Sequence, residues 1–122
     1  MSVTSCAAID LGAASGRVVV ADCDGERISL REAGRFETPS AIDAESGYLC
    51  WDVDAIEARV AERLEAARAL AALRSVGVDS WGVDYVLVDE RGRRVAPASR
   101  GTRSTGAPAF SSCRSTPSTS SR

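Results

Sequence analysis

A glycine-bounded turn between two short apolar segments constrains the fold of this chain more than any other feature. The apolar segments are residues 6–11 and 17–21, and five residues, Gly-Ala-Ala-Ser-Gly, separate them. Apolar and β-branched segments on either side of a glycine turn are typical of a β-hairpin. Glycine at both ends of the turn, Gly12 and Gly16, permits positive φ angles and leaves no side chain above the backbone. We therefore predict a strand–turn–strand unit with an accessible backbone in its turn.

The residues of this turn have the chemistry of an anion site. Successive N–H groups of such a turn can converge on one anion. Ser15 adds a hydroxyl donor, and the planar guanidinium of Arg17 suits a phosphate oxygen. Asp10 supplies a carboxylate suited to Mg²⁺, held through a water molecule because Mg²⁺ dehydrates reluctantly. The alternative is an ordinary glycine hairpin with a surface Asp and Arg, since the motif is neither a Walker loop nor Gly-x-Gly-x-x-Gly.

Beyond the hairpin, the sequence alternates between strands and one long helix. The helix is predicted from Asp54, which forms a capping box with Glu57, to about Leu73. Its apolar residues recur at three- and four-residue spacing and define one face: Val53, Ile56, Val60, Leu64, Ala67 and Leu70. The remaining predictions are strands at 28–36, 75–79 (buried) and 85–89, a loop at 37–50, and a turn at 90–92 that leads back towards Val95. We predict an α/β fold with a mixed sheet.

Composition excludes several classes of function. The chain has 122 residues, enough for one domain or part of one, and its net charge of −2 gives no general attraction to nucleic acid or to acidic membranes. It contains no apolar segment of about 20 residues that would span a membrane. Histidine is absent and the four cysteines form no Cys-x-x-Cys pair, so reduced thiols are expected rather than a zinc site. Without a secretory signal pattern, the expected location is the cytoplasm.

The last 25 residues differ sharply from the rest. Residues 98–122 contain no acidic residue, four arginines, eight serines and four threonines. They show neither a helical nor an alternating apolar period, and such a composition predicts disorder. We therefore divide the chain into residues 1–97 and 98–122. A frameshift in the coding sequence is the favoured interpretation of the second part, and a flexible basic interaction arm is the alternative.

Three motifs, in this order, resemble the FGGY carbohydrate kinases of the actin-like ATPase superfamily. Asp-x-Gly-x-x-x-x-Arg at 10–17 is similar to the phosphate-binding turn of that superfamily. Gly-Tyr-Leu-Cys-Trp-Asp-Val-Asp at 47–54 and Val-Gly-Val-Asp-Ser-Trp-Gly-Val-Asp-Tyr at 76–85 resemble the rhamnulokinase branch. The resemblance covers about residues 6–97. One departure is Ala14, which stands where the family usually has Ser and so lacks a hydroxyl.

The resemblance implies a fold, a reaction and site residues. The fold would be part of the first of two ribonuclease-H-like domains, and the reaction the Mg²⁺-dependent transfer of the ATP γ-phosphoryl group to the 1-hydroxyl of L-rhamnulose. Residues matching the family's ATP-contacting turn are Ala13, Ala14, Ser15, Gly16 and Arg17, and Gly82 matches a sugar-contacting position. The family's general base lies beyond residue 122, and its Tyr-Arg-Asp-x-Arg motif after Pro97 is not matched. We therefore expect no kinase activity from this chain alone.

Several residues near these motifs have two interpretations. Trp81 is a candidate wall of the sugar pocket, or a core aromatic. Trp51 is assigned to packing, and Asp52 and Asp54 to helix capping rather than a carboxylate pair. Asp79 and Asp84 flank the sugar-contacting position without a decisive pattern. At the level of function, the alternatives are a small non-catalytic nucleotide- or partner-binding module and an FGGY kinase for another ketose.

Overall fold

The computed structural model of the protein describes residues 2–82 and 84–99, which form two compact units. The described residues of the first unit are 2–39 and 52–82, and those of the second are 40–51 and 84–99. The first unit contains strands β1 (Thr4–Leu11), β2 (Ser15–Cys23), β3 (Ile28–Glu37) and β6 (Leu73–Ser80) and the helix α1 (Val53–Leu70). The second contains the short strands β4 (Ser40–Ile42), β5 (Leu49–Trp51) and β7 (Ala98–Ser99).

The first unit is built on a mixed four-stranded sheet in the order β3-β2-β1-β6. The strands β1, β2 and β3 form an antiparallel meander, and β6 pairs with β1 in parallel. The connection from β3 to the parallel strand β6 includes α1, as a parallel pair requires a long crossover. The predicted hairpin, mixed sheet and long helix are therefore confirmed.

The core of this unit lies between α1 and one face of the sheet. Because side chains alternate between the two faces of a strand, every second residue of β1 and β2 is buried. Ala7 and Ile9 of β1 lie beside Val20 and Val18 of β2, and all four are at most 5% exposed. Ala67 of α1 is fully buried against them, with Val60 and Leu64 half-buried at the margin. The apolar helix face predicted from the sequence thus contacts the sheet, although its last member, Leu70, is exposed.

Helix α1 begins and ends earlier than predicted. Its N-cap is Asp52, whose carboxylate accepts a hydrogen bond from the Ala55 amide at 2.9 Å, so the prediction of Asp54 as the cap is wrong. The helix ends at Leu70 because Leu73 belongs to β6, where it pairs with Ser5. The guanidinium of Arg31, in β3, donates to the Leu70 carbonyl at 3.3 Å and satisfies one of the last carbonyls of the helix.

Strand β6 is exposed, not buried as predicted. Val76 and Val78 lie beside the core residues Ala7 and Ile9 on the same face of the sheet, yet are 52% and 65% exposed. The reason is the position of α1, which packs over β2 and β3. Among the described residues, none covers the helix-side face of β6 to the same extent.

The second unit is a small sheet in the order β4-β5-β7, with both pairs antiparallel. Strand β4 and the first two residues of β5 lie within the segment 37–50 predicted as a loop. Asp43 closes the short hairpin between them, since its carboxylate accepts from the Ser46 amide at 2.8 Å. Trp51 of β5 is 6% exposed and donates its indole N–H to the Asp84 carboxylate at 2.8 Å. The prediction that Trp51 has a packing role is thereby confirmed.

The segment after β6 forms a turn rather than the strand predicted at 85–89. Among residues 84–97, β-pairing consists of one bridge between Val88 and Arg94, closed by a turn in which Gly92 has φ = +75°. Asp89 stabilises the turn by accepting from the Arg91 and Arg93 amides, both at 2.9 Å. The reversal of the chain at this turn was predicted correctly, whereas the regular strand predicted at 85–89 does not form.

The predicted division after Pro97 falls just before β7. Ala98 and Ser99 pair with Trp51 and Cys50, so these two residues of the segment predicted to be disordered are part of a sheet. Residues 100–122 lie outside the described residues. In the described part of the chain, no helix is both long enough and apolar enough to cross a membrane.

Candidate phosphate-binding turn

The candidate site is the turn that joins β1 to β2. The turn is tighter than the sequence indicates, because β2 already begins at Ser15 and the Gly12 amide donates to the Ser15 carbonyl at 2.9 Å. Neither Gly12 nor Gly16 has a positive φ, so the conformational reason predicted for these glycines is wrong. Both glycines are explained by the space around them.

Each glycine lies against another group that excludes a side chain. A Cβ on Gly12 would lie 2.8 Å from the carbonyl oxygen of Ser15, which is too close for the turn to close. A Cβ on Gly16 would overlap the ring of Phe36, the neighbouring residue in β3, and both residues are buried. Gly16 therefore permits the packing of Phe36 beneath the turn, and its buried position leaves Ala13 and Ala14 as the accessible part.

Thr38, which was not among the predicted site residues, forms hydrogen bonds to the backbone of the turn. Its hydroxyl donates to the Gly12 carbonyl at 2.6 Å, and its amide donates to the Ala14 carbonyl at 3.1 Å. Thr38 is 8% exposed and directly follows β3. A threonine at a strand end gives no local signal for such a contact, since it joins residues 26 positions apart.

With these carbonyl groups engaged, the turn presents backbone donors. Ala13 and Ala14 are exposed, and within residues 2–82 and 84–99 their amides have no hydrogen-bond acceptor. Two adjacent, exposed N–H groups without an acceptor match the backbone arrangement that binds anions. Ser15, predicted to add a hydroxyl donor, is half-buried.

Arg17 and Asp10 face each other across the hairpin. They are paired in the β1–β2 register, and Arg17 Nε donates to the Asp10 carboxylate at 2.9 Å with both side chains about half exposed. Next to them, Arg35 of β3 pairs with Glu32 at 2.9 Å. Hydrogen bonding between these two lowers the pKa of Glu32 and raises that of Arg35. The two arginines give this surface cationic groups close to the turn.

Strand β6 brings the candidate sugar residues to the same edge of the sheet. Leu11 pairs with Ser80, so the first turn and the segment Trp81-Gly82 follow adjacent strand ends. Asp79 is exposed and lies beside Asp10 in the parallel register, on the face opposite α1. Gly82 is exposed, and a Cβ there would meet no atom within 4 Å. Trp81 is half-buried.

Asp84, the other acidic residue considered near the sugar position, belongs to the second unit. Its carboxylate accepts the indole N–H of Trp51, which gives it a structural role there. Of the two acidic candidates, Asp79 is therefore the one that the structure places on the same sheet as the phosphate turn.

The residues of the turn suit a phosphate group, such as that of ATP, better than they suit Mg²⁺. The amides of the exposed residues Ala13 and Ala14, and the half-exposed Arg17 guanidinium, are donors that suit phosphate oxygens. Asp10 is half-exposed and one of its oxygens accepts from Arg17, which leaves the second for a water-held Mg²⁺. Within the described residues, no group of three or more acidic, Cys or His side chains forms a protein-only metal site. Mg²⁺ typically needs only one or two carboxylates when phosphate supplies further ligands.

The fold and the sequence each resemble those of known sugar kinases. The crystal structure of gluconate kinase from Lactobacillus acidophilus superposes with a TM-score of 0.62 at 13% sequence identity, covering 80% of this chain and 20% of that kinase. Rhamnulokinases from two strains of Klebsiella pneumoniae are each 45% identical over 98 residues, covering 78% of this chain and 20% of theirs. No protein-family model matches the chain.

The described fold is that of a sugar kinase segment, a mixed sheet with a hairpin turn and one crossover helix. The sequence similarity is to one particular kind of sugar kinase. Over the matched 98 residues the chain is homologous to rhamnulokinases, and it spans about a fifth of the length of the curated relatives it matches.

Proposed function

We propose that the turn between β1 and β2 binds the phosphates of ATP. The observation that carries the proposal is the pair of exposed amides at Ala13 and Ala14, which have no acceptor among the described residues. Arg17 lies at the start of β2 and adds a charged donor, while Asp10 is the residue for a water-held Mg²⁺. Gly16 acts indirectly, since its missing side chain lets Phe36 support the turn.

The proposed reaction is the transfer of the ATP γ-phosphoryl group to the 1-hydroxyl of L-rhamnulose, giving L-rhamnulose 1-phosphate. The support is the 45% identity with rhamnulokinases and the adjacency of the turn to the candidate sugar residues Trp81 and Gly82. Phosphoryl transfer depends mainly on positioning and on neutralising charge, both of which such a turn supplies. It also needs a base near the attacking hydroxyl.

We propose further that the 122-residue chain is inactive by itself. The matched segment corresponds to a fifth of a rhamnulokinase, and the candidate site supplies donors for phosphate without an assigned base. The chain is therefore expected to bind phosphate and to transfer none.

Two measurements on the purified chain test these statements. Titration of ¹⁵N-labelled protein with ATP and Mg²⁺ should shift the amide resonances of Ala13 and Ala14, whereas unchanged resonances would contradict the phosphate site. A coupled assay for ADP release should show no turnover of L-rhamnulose. Phosphorylation above the background would contradict the proposed inactivity.

The tail is interpreted as a frameshifted segment of the same kinase. Translation of the DNA after the codon for Pro97 in the two other frames should recover Tyr-Arg-Asp-x-Arg and a later catalytic Asp. Stop codons in every frame would instead favour a small, non-catalytic nucleotide-binding module. If the frame is recovered, assays of the repaired enzyme with different ketoses distinguish L-rhamnulose from the substrates of other FGGY kinases.

A further inference from the structure

We infer that Thr38 is a positioning residue for the phosphate turn, an inference that rests on the proposed function of that turn. Thr38 donates to two carbonyl groups of the turn, one through its hydroxyl and one through its amide. It is buried, and these two bonds go to carbonyl groups of the turn and not to the N–H groups proposed to bind phosphate. Its proposed role is to orient the backbone donors.

The geometry of the peptide bond connects the Thr38 hydroxyl to the Ala13 amide. The Gly12 carbonyl and the Ala13 N–H belong to the same planar peptide unit, and in a trans peptide they are directed to opposite sides. No cis peptide bond occurs in the described residues. When the Thr38 hydroxyl holds the Gly12 carbonyl at 2.6 Å, the Ala13 N–H is therefore turned away from Thr38 and towards the exposed side.

The second contact acts on the next part of the turn. The Thr38 amide holds the Ala14 carbonyl, and so fixes the peptide unit between Ala14 and Ser15. The two contacts lie on either side of the Ala13–Ala14 peptide. Rotation of that peptide, which carries the Ala14 N–H, is therefore limited from both ends.

Thr38 is itself fixed in place by its neighbours. It precedes Pro39, and the residue before a proline is restricted to extended conformations. The Pro39 carbonyl accepts from the Asp52 amide at 3.1 Å, which ties this segment to the N-cap of α1. The support of the turn thus extends from the sheet to the start of the helix.

The variant Thr38→Val tests the hydroxyl with little change in side-chain shape. In the intact 122-residue chain, we expect affinity for inorganic phosphate, measured by NMR titration, to fall about five-fold, as expected for one lost hydrogen bond. Thr38→Ser keeps the hydroxyl and should restore the affinity to within about two-fold of the wild type. Thr4→Val makes the same chemical change on an exposed residue of β1 and should leave the affinity unchanged.

The outcomes separate this inference from the proposed function. Equal phosphate affinity of the wild type and Thr38→Val would overturn the role of Thr38 and leave the phosphate site intact. If the wild type binds no phosphate, the proposed function is wrong. The Ala13 amide then tests the positioning role of Thr38 without any ligand. Its chemical shift and hydrogen exchange should change in Thr38→Val, and unchanged values would overturn the inference.

A purely structural role would have a different signature. It would shift resonances across the sheet, whereas a positioning role confines the changes to the turn and is reversed by Thr38→Ser. Should Thr38→Val fail to fold, the wild type still provides a test. A Thr38 hydroxyl proton bonded to Gly12 exchanges slowly with water, and exchange as fast as that of Thr4 would contradict the contact.

Discussion

Packing constrains individual residues of the candidate phosphate-binding turn. Gly16 belongs to the motif that resembles a phosphate-binding turn, yet its side-chain position is occupied by the ring of Phe36. Gly82 belongs to the motif that resembles a sugar-contacting segment, and the space around its α-carbon is open. The two glycines therefore differ in what a substitution would cost the free protein.

The variant Gly16→Ala should be destabilised by about 1–3 kcal/mol, the usual cost of forcing a methyl group into a packed site. Gly82→Ala is the matched control and should change the free energy of unfolding by less than about 0.5 kcal/mol. Urea denaturation measures both. Replacement of Phe36 by Leu in the Gly16→Ala background should recover part of the loss, whereas an unchanged loss would show that the ring is not its cause.

At the scale of elements, α1 depends on contacts at both of its ends. Asp52 caps the first turn, and Arg31 of β3 donates to the Leu70 carbonyl at the last. The sequence permitted the prediction of the helix and its apolar face, because both follow from periodicity. It did not distinguish Asp52 from Asp54 as the cap, since the two residues flank Val53, the first residue of the apolar face.

Removing the N-cap tests this assignment. Asp52→Ala should lower the free energy of unfolding by about 1 kcal/mol, because the Ala55 amide loses its acceptor. Asp54→Ala removes a first-turn carboxylate that interacts with the helix dipole but leaves the Asp52 cap in place, and it should cost less, about 0.5 kcal/mol. Chemical denaturation of both variants provides the comparison, and a larger loss for Asp54→Ala would reverse the assignment.

At the scale of the whole molecule, burial is concentrated on β1 and β2. Sequence patterns predicted the four strands of the larger sheet, but they did not predict that β6 is exposed, because burial depends on which strands α1 covers. The hydrogen bonds from Thr38 to the turn were not predicted for a similar reason, since they join two segments that are close only in the folded chain. Local pattern thus predicts elements and motifs, while tertiary contacts decide which residues support them.

One substitution at two positions measures this uneven burial. Val18→Thr places a hydroxyl in a fully buried site and should cost about 1–3 kcal/mol. Val78→Thr makes the same change on the 65% exposed β6 and should alter stability by less than about 0.5 kcal/mol. Both variants remain β-branched, so strand propensity is held constant. Equal losses in urea denaturation would indicate that β6 is as well covered as β2.

Stability should also decline in acid. Hydrogen bonds from Ser5 and then from Arg31 hold the pKa of Asp22 below its ordinary value of 3.8. A carboxyl with a lowered folded-state pKa adds stability that is complete above its unfolded-state value and is lost as the pH falls through the folded-state value. Asp24, Asp43 and Asp89 have pKa values shifted in the same direction. We expect the free energy of unfolding to fall below about pH 4.

The variant Asp22→Asn separates this contribution. It should be less stable than the wild type at neutral pH, and the difference should shrink as the pH approaches 3. Urea denaturation at both pH values measures the change. A difference that stays constant would show that the ionisation of Asp22 is not linked to folding.

The parallel pairing of β1 with β6 has a consequence for the order in which the molecule assembles. The strands β1, β2 and β3 are consecutive, and Thr38 directly follows β3. The turn and its support therefore form from contacts between segments that are near one another along the chain. Ser5 instead pairs with Leu73, and closing such a long loop slows the formation of a contact. We therefore expect the candidate phosphate turn and its support by Thr38 to form faster in folding than the pairing of β1 with β6, the strand that precedes the candidate sugar residues.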